Sequence, residues 1–334
     1  MSYWTVSDIP SQQGRSAVIT GTGGLGFEDA LALARAGAEV ILAGRNPNKG
    51  AQAVETIRAE IPSALIRFEQ LDLASLESVA DFCRRLRADR GSLDLLINNA
   101  GVMTPPQRRA THNGFELQFG TNYLGHFALT AGLLPLLCKG RNPRVVTVSS
   151  IAARNAAILF HDLNAHQSYE PMPFYGQSKL ACLMFAFELQ HRSDAAGWRI
   201  ASIAAHPGVS RTDLLPNGAG AGSMPGRLRR FLPFLFQPAW QGALPTLYAA
   251  TAPEAKPGGY YGPHRMGGLR GYPTEAKAPA RSLDRRVAAQ LWIESEKLTG
   301  AVFPTGKDQQ IPASDPVVRS VLHDVAKDEG RLVS

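Results

Sequence analysis

The chain has 334 residues, of which 44% are hydrophobic and 19% are charged, so it can bury a large core and is not a disordered protein. Its formal charge of +7 would suit nucleic acid or an anionic membrane, but the basic residues are scattered and no nucleic-acid recognition motif accompanies them. We therefore exclude nucleic acid as a partner.

The three cysteines, Cys83, Cys138 and Cys182, lie in stretches with helical spacing, and no two of them form a C-x-x-C motif. Such a sparse, odd set argues for a reducing compartment and against a disulfide framework or a zinc site. The first residues lack a basic region followed by an apolar run, and no window approaches the about 18 apolar residues of a membrane span. We expect a cytoplasmic protein without a signal peptide or a transmembrane segment.

The first predicted strand, Ser16–Thr20, leads into the glycine-rich run Gly21-Thr-Gly-Gly-Leu-Gly26, and the first predicted helix spans Leu25–Ala36. The glycines fit G-x-G-x-x-G, a pattern in which the backbone approaches a dinucleotide pyrophosphate at a helix N-terminus. A second fingerprint, T-G-x-x-x-G-x-G, fits except that one residue is missing after Gly21. Either Gly23 absorbs the shortened turn, or the loop adopts the geometry of the first pattern. A loop that binds its cofactor poorly is the rival interpretation.

Beyond this loop, short apolar runs alternate with segments of helical periodicity. The further predicted strands are Glu39–Ala43, Leu65–Leu71, Leu93–Asn98, Arg144–Ser149, Ile200–Ala205 and Gly259–Tyr261. The further predicted helices are Asn48–Ile61, Ser75–Asp89, Asn113–Leu137 and Tyr175–Ala196. Strands that are apolar on both faces and separated by helices are typical of a parallel sheet covered on both sides. The sequence therefore predicts an α/β fold with a doubly wound, mainly parallel sheet of seven strands and helices on both faces.

Polar residues and glycines follow these strands at the points where they end. They are Thr20-Gly21, Gly44-Arg45, Asp72, Asn98-Asn-Ala-Gly101, Ser149-Ser150 and His206-Pro-Gly208. Ligands of doubly wound sheets bind at the carboxyl ends of the strands, so we expect one site along this edge.

The alternation breaks down from Ser210 to Pro238, where Pro, Gly and Arg are frequent. We predict that residues 210–238 form a substrate lid within a single domain of residues 14–300. The basic and then apolar run Arg229–Phe236 gives an alternative, a contact with a membrane surface. Residues 301–334 are predicted to be a C-terminal extension.

The segment Tyr175-Gly-Gln-Ser-Lys179 places a phenol and an ammonium four residues apart, on one face of a helix. Alone, this pair could face solvent. Together with the polar strand ends, it resembles the short-chain dehydrogenase/reductase family over about residues 14–300, and most of all its branch of retinol dehydrogenases and related carbonyl reductases. The resemblance is carried by Leu95–Met103, Phe115–Phe127, Val145–Ser150, Tyr175–Ala181, Ala205–Gly208 and the stretch between Ser150 and Tyr175 with Phe160-His-Asp-Leu163.

The resemblance implies a Rossmann-type fold and a catalytic tetrad: Tyr175 as acid/base, Lys179 as its electrostatic partner, Ser150 as holder of the carbonyl and Asn122 as anchor of a water relay. An ammonium one turn away favours the phenolate form of tyrosine, and a hydroxyl can polarise a carbonyl. Ser150 is preferred to Ser149 because the second serine of the pair is the family's catalytic one. The family's usual assembly implies a homodimer or homotetramer through the helices at Asn113–Leu137 and Tyr175–Ala196.

Five polar residues have simpler interpretations. Asn122 could instead be a buried polar residue with local hydrogen bonds, and His126 is expected to be structural. His161, Asp162 and His166 lack the further Cys or His that would complete a metal shell, so we predict no metal site.

The cofactor is predicted from the end of the second strand, where an NAD site needs a carboxylate for the ribose hydroxyls. This chain has Gly44 there, followed by Arg45, and a guanidinium suits a 2′-phosphate. We predict NADP(H), with NAD(H) possible and a solvated Arg45 as the alternative. The predicted cofactor contacts are Gly21, Thr22, Gly24, Leu25, Gly26, Arg45, Asn46, Asp72, Leu73, Asn99, Ala100, Gly101, Tyr175, Lys179, Pro207, Gly208 and Thr212.

The resemblance and these residues predict an NADP(H)-dependent oxidoreductase, an alcohol dehydrogenase or carbonyl reductase, that interconverts a lipophilic ketone or aldehyde and its alcohol. An apolar substrate is favoured by the lid residues Leu214, Leu215, Phe231, Phe234 and Phe236. Two alternatives belong to other classes. One is a dinucleotide-sensing or scaffold protein of the same fold, and the other is a membrane-surface adaptor.

Overall fold

The apolar runs of the sequence pair into one sheet in the computed structural model, which describes residues 3–210 and 237–304. The strands are β1 Ser16–Thr20, β2 Glu39–Gly44, β3 Ile66–Gln70, β4 Leu95–Asn98, β5 Arg144–Val148, β6 Ala201–Ala205, β7 Tyr260–Arg265 and β8 Arg270–Glu275. Their order across the sheet is β3-β2-β1-β4-β5-β6-β7-β8, and every neighbouring pair is parallel except β7 with β8. The prediction of a doubly wound, mainly parallel α/β sheet is confirmed.

Seven α-helices of the described residues accompany the sheet. They are α1 Leu25–Arg35, α2 Pro47–Glu60, α3 Leu76–Asp89, α4 Gly125–Leu137, α5 Pro171–Ala196, α6 Ala239–Thr251 and α7 Arg285–Thr299. Helices α1, α2 and α6 contribute to one buried core, and α3, α4, α5 and α7 contribute to another. Successive residues of a strand belong alternately to the two cores, so the two helical layers cover opposite faces of the sheet. Within the described part of the chain, no helix has the length and apolar character that crossing a bilayer requires.

The sheet has eight strands where the sequence predicted seven. The additional strand, β8, reads Arg-Gly-Tyr-Pro-Thr-Glu, and its glycine and proline weaken the sequence signal of a strand. They are tolerated because β8 lies at the edge of the sheet and pairs only with β7. Helices α6 and α7 were also absent from the predicted set.

The predicted helix Asn113–Leu137 is divided in the structure. A π-helical segment at Phe119–Leu124 precedes α4, and Asn122 lies within this segment. In a π-helical segment each hydrogen bond spans five residues instead of the four of an α-helix, and such segments frequently occur at functional sites. Asn122 therefore lies where the helix departs from regular α-helical hydrogen bonding.

Helix α7 packs across α4 and α5 through aromatic rings. The ring centroid of Trp292 lies 5.0 Å from that of Phe127 on α4 and 5.7 Å from that of Phe185 on α5. Phe303, beyond α7, lies 4.4 Å from Trp292. Along α5, every residue from 174 to 190 is buried within the chain except Phe187, which is partly buried. The face of α5 that looks away from the sheet is thus covered by the chain itself.

Candidate active site

The glycine loop between β1 and α1 makes its turn with Gly21 and Gly24, whose φ angles are 97° and 53°. Gly23 is not among the residues with positive φ, so it does not absorb the shortened turn. A Cβ on Gly26 would lie 2.3 Å from the carbonyl oxygen of Gly21, so this close approach of helix to loop requires glycine. A Cβ on Gly23 would meet no described atom within 4 Å. These are the positions of G-x-G-x-x-G, with one side of the loop open at the start of α1.

The strand end Asn99–Gly101 is fixed to β1 by Thr20. The Thr20 Oγ1 atom accepts hydrogen bonds from the backbone N–H groups of Asn99 and Ala100, each at 2.9 Å. The Asn99 side-chain Nδ2 donates to the Thr20 carbonyl at 2.8 Å. The residues predicted to support a ribose therefore lie directly beside the glycine loop.

Asn122 joins this strand end to α5. Its side-chain amide forms two hydrogen bonds with the backbone of Val102, at 2.7 and 2.9 Å, and donates to Ser178 Oγ at 2.9 Å. The backbone carbonyl oxygen of Asn122 accepts hydrogen bonds from His126 Nδ1 at 2.8 Å and from Cys182 Sγ at 3.2 Å. These contacts agree with the interpretation of Asn122 as a buried, hydrogen-bonded polar residue, and its predicted relay role stays a prediction.

Lys179 lies in the interior between two strand ends. Its Nζ donates to the Val148 carbonyl at 3.0 Å, at the end of β5. A Cβ on Gly101 would lie 3.6 Å from this Nζ and 3.0 Å from Asn122 Oδ1, so the ammonium faces the Asn99–Gly101 segment. The side chain is 5% exposed, and a buried ammonium of this kind needs hydrogen-bond acceptors around it.

The two serines after β5 have different surroundings. Ser149 is buried, and its hydroxyl donates to the carbonyl oxygen of Lys179 at 2.7 Å. Ser150 is half-buried and caps a short 3-10 helix at Ile151–Asn155, where its Oγ accepts the N–H of Ala152 at 3.2 Å. The Ser149 hydroxyl proton is therefore committed to α5, whereas this cap leaves the Ser150 proton available to another acceptor.

Tyr175 lies near the start of α5, four residues before Lys179 and on the same face of the helix. A Cβ on the next residue, Gly176, would lie 3.1 Å from the carbonyl oxygen of Ala152. Helix α5 thus passes close to the segment that follows Ser150. The structure brings the regions of all four predicted catalytic residues to the carboxyl edge of the sheet.

The end of β2 lies against the glycine loop at Gly44. A Cβ on Gly44 would lie 2.8 Å from Thr22 Cγ2. The next residue, Arg45, is exposed, and Asn46 Oδ1 caps α2 by accepting the N–H of Lys49 at 3.1 Å. The cap occupies the Asn46 oxygen, and Arg45 directly follows Gly44, which lies against Thr22 of the glycine loop.

The end of β3 is held by local contacts. Asp72 Oδ1 accepts the N–H of Ala74 at 2.9 Å, and its other oxygen lies 3.8 Å from His112 Nε2. A Cβ on Gly125 would lie 2.4 Å from the Leu73 carbonyl oxygen, so α4 packs tightly on this turn. Asp72 and Leu73 therefore lie at the same edge as the other predicted cofactor contacts.

With this geometry in view, comparison with known proteins identifies the family. A profile described as short chain dehydrogenase matches residues 15–219. The chain belongs to this family. Polyprenol dehydrogenase of Mus musculus is 42% identical over 300 residues, covering 88% of this chain and 86% of that protein. Retinol dehydrogenase 13 of Mus musculus is 39% identical over 303 residues, covering 88% and 86%. The chain is therefore an oxidoreductase of the retinol dehydrogenase-like branch.

Solved structures agree with this assignment. A protein from Mycobacterium Paratuberculosis is 40% identical, with a TM-score of 0.76 and coverage of 91% of this chain and 100% of that one. A short chain dehydrogenase from Shigella flexneri, determined in complex with NADP, is 25% identical, with a TM-score of 0.59 and coverage of 74% and 96%. The short chain dehydrogenase described here therefore has the NAD(P)-binding Rossmann fold of its family.

In this dehydrogenase, the two ends of the predicted lid meet beside the site. Ser210 and Gln237 form a parallel bridge, and both donate to the Pro207 carbonyl, at 2.8 and 2.6 Å. Gly208 has φ of 65°, and a Cβ there would lie 2.3 Å from the Leu269 carbonyl oxygen on the β7–β8 connection. The anchoring role of Gln237 was missed, because a lone glutamine among the prolines, glycines and apolar residues of the predicted lid belongs to no motif that marks an anchor.

Residues 211–236 and 305–334 lie outside the described residues. They include Thr212, the five apolar lid residues, the run Arg229–Phe236 and most of the extension 301–334. The lid, the alternative membrane contact and the domain boundaries therefore stay predictions.

Two features near the site of this dehydrogenase concern histidines. Burial lowers the pKa of His206 to about 4, and the Arg154 guanidinium acts in the same direction, so the ring is neutral at the end of β6.

Asp162 accepts backbone N–H groups from His166 at 2.6 Å and Gln167 at 3.1 Å, and so it fixes a loop. Across residues 3–210 and 237–304, no group of three or more His, Cys, Asp or Glu could hold a metal ion.

Proposed function

We propose that the chain is an NADP(H)-dependent oxidoreductase that interconverts a lipophilic aldehyde or ketone and its alcohol. The main support is the position of the Lys179 ammonium. It contacts the end of β5 just before Ser150, faces the Asn99–Gly101 segment, and lies one helical turn from Tyr175. This position supports a site in which the Tyr175 phenol, the Lys179 ammonium and the Ser150 hydroxyl would meet beside the Asn99–Gly101 segment.

The loop before α1 fits a dinucleotide. Its backbone turns at glycines with positive φ, and its open side at Gly23 would be filled by any larger side chain. The N–H groups at the start of α1 attract phosphate oxygens, and Asn99–Gly101 would support the nicotinamide ribose. When bound, the nicotinamide supplies the hydride or accepts it.

The side chains of this chain supply the proton and hold the substrate oxygen. In reduction, the Tyr175 hydroxyl gives its proton to the substrate oxygen, and in oxidation the Tyr175 phenolate takes the proton from the alcohol. The Lys179 ammonium stabilises the phenolate that remains after the proton has left. The Ser150 hydroxyl donates a hydrogen bond to the same oxygen, which polarises the carbonyl and sets its position.

The preference for NADP(H) is supported by the end of β2. An NAD site would have a carboxylate at the end of β2, where this chain has Gly44. The exposed Arg45 guanidinium instead provides a fork of donors for a 2′-phosphate. Asn46, through its free amide N–H groups, would assist.

The substrate class is supported by the names of two relatives. One is a polyprenol dehydrogenase and the other a retinol dehydrogenase, and both alcohols are long and apolar. The predicted lid, which is anchored at Pro207 beside the proposed nicotinamide position, carries leucines and phenylalanines suited to such a chain. We propose long apolar alcohols and their aldehydes as the substrates.

The test is NADPH oxidation by the purified protein with a panel of lipophilic aldehydes and ketones. We expect Tyr175→Phe to lower kcat by about a hundredfold or more, because the proton donor is lost while the ring remains. Tyr248→Phe, which removes a phenol on α6, is the matched control. Equal rates for wild type and Tyr175→Phe would contradict the mechanism. Tight NADPH binding without turnover of any substrate would favour the alternative of a dinucleotide-sensing protein.

A further inference from the structure

His126 is a fully enclosed histidine at the second residue of α4, one turn after Asn122. Its two ring nitrogens contact two different parts of the site. Nδ1 lies 2.8 Å from the Asn122 carbonyl oxygen, and Nε2 lies 2.9 Å from Thr20 Oγ1 at the end of β1. The imidazole thus links the Asn122 carbonyl to Thr20, which lies 106 positions from His126 in the sequence.

The direction of both hydrogen bonds follows from the chemistry of the partners. A carbonyl oxygen can only accept, so Nδ1 carries a proton and donates it to Asn122. Burial lowers the pKa of His126 to about 4, and the nearby Lys179 ammonium acts in the same direction, so the ring is neutral. Nε2 is therefore an acceptor, and the Thr20 hydroxyl donates to it.

This direction determines what the Thr20 oxygen can do. With its proton turned to Nε2, its lone pairs accept the N–H groups of Asn99 and Ala100. The competing acceptor for the Thr20 proton is the Ile97 carbonyl at 3.3 Å, which is more distant than Nε2 at 2.9 Å. Without the imidazole, the hydroxyl would turn to Ile97 and its lone pairs would rotate with it.

We propose that His126 is a positioning residue that holds the Asn99–Gly101 segment and the Asn122 segment in a fixed relation, and so aligns the ribose support with Lys179. It acts through Thr20 and Asn122 and touches neither substrate nor cofactor. An imidazole suits this place because it is a rigid ring with a donor on one edge and an acceptor on the other, which no other neutral side chain offers. The inference rests on the proposed function, because it concerns the cofactor site.

The test is a double-mutant cycle on His126 and Thr20, read by NADPH titration and by kcat and KM per folded protein. We expect His126→Phe to weaken NADPH binding about tenfold, the effect of losing a buried hydrogen bond. Thr20→Val should weaken it by more, because it also removes the acceptor of the Asn99 and Ala100 N–H groups. The double variant should be no worse than Thr20→Val alone, because His126 acts on this segment through Thr20. Thr20→Ser keeps the hydroxyl and should restore wild-type values.

Cys182→Ala provides the matched control, since it removes the other donor to the Asn122 carbonyl without touching Thr20. Its effect should add to that of Thr20→Val. Additive losses for His126→Phe and Thr20→Val would overturn the proposal, as would a His126→Phe variant that has only a lower melting temperature. Should His126→Phe not fold, failure of Thr20→Ser to restore what Thr20→Val loses would overturn it. If the wild-type protein binds NADPH but turns over no substrate, the proposed function is contradicted and the positioning role of His126 is not, because NADPH titration still measures the effect of the Thr20–His126 contact.

Discussion

Asp29, on α1, carries a carboxyl group that is buried without a hydrogen-bond partner among the described residues. It is 0% exposed, and neither carboxylate oxygen has a hydrogen-bond partner among the described residues. Burial raises its pKa well above the ordinary value, and the neighbouring Glu28 adds to the shift. The native state therefore keeps Asp29 protonated at pH values where the unfolded chain has already ionised it.

The sign of the resulting pH dependence follows from this difference. Above about pH 4 the unfolded state releases the proton while the native state retains it, so stability falls as the pH rises toward the native pKa. Asp29→Asn keeps the size of the side chain but cannot ionise. We expect it to raise the melting temperature at pH 8 by more than at pH 5. An equal change at both pH values, or a loss at pH 8, would contradict this assignment.

Arg45 is the residue on which the proposed NADP(H) preference depends. We expect Arg45→Asp to lower kcat/KM for NADPH by about ten- to a hundredfold, because a charged hydrogen-bond partner of the 2′-phosphate is replaced by a repelling carboxylate. The value for NADH should stay equal or rise. Steady-state kinetics with both cofactors measure this, and Arg87→Asp, the same charge change on an exposed position of α3, is the control. An unchanged preference would refute the role of Arg45.

At the scale of elements, the alternating apolar runs were sufficient to predict the parallel sheet, because strands covered on both faces leave a clear pattern. The edge strand β8 was missed because its glycine and proline obscure that pattern. The π-helical segment at Phe119–Leu124 was missed because one extra residue in a turn hardly disturbs the apolar spacing of a buried helix. The spacing of Tyr175 and Lys179 is local and therefore visible in sequence, whereas the Thr20–His126 contact exists only in the fold.

The glycine loop offers an element-scale prediction with an internal control. Gly26→Ala puts a methyl group against the Gly21 carbonyl and should destabilise the fold by about 1–3 kcal/mol, the effect of overpacking. Gly23→Ala meets no described atom and should leave the melting temperature unchanged, but it should weaken NADPH binding by filling the open side of the loop. Thermal unfolding and NADPH titration measure the two effects. A stable Gly26→Ala variant, or undiminished NADPH binding by Gly23→Ala, would contradict this description of the loop.

At the scale of the whole molecule, α7 covers the helices through which the sequence led us to expect a homodimer or homotetramer. The relevant face of α5 is buried within one chain, so any assembly through it would require α7 to move. The oligomeric state stays a prediction, which the molecular mass measured by sedimentation would test. An assembly that leaves α7 in place would use other surfaces.

Trp292 is the centre of this covering layer and contacts α4, α5 and Phe303. We expect Trp292→Ala to lower the free energy of unfolding by about 3–5 kcal/mol, because it leaves a cavity among packed rings. Trp292→Phe should lose much less. Denaturant unfolding measures both, and a near-neutral Trp292→Ala would mean that α7 contributes little to the core.

The central claim is that Tyr175 and Ser150 hold the substrate oxygen beside the dinucleotide at the carboxyl edge of the sheet. A crystal structure of the chain with NADP⁺ and an unreactive lipophilic ketone tests it most directly. We predict the ketone oxygen within about 3 Å of both hydroxyl oxygens, with the Lys179 ammonium hydrogen-bonded to the nicotinamide ribose. A dinucleotide bound away from the Gly21–Gly26 loop, or a ketone oxygen held by other side chains, would contradict the account.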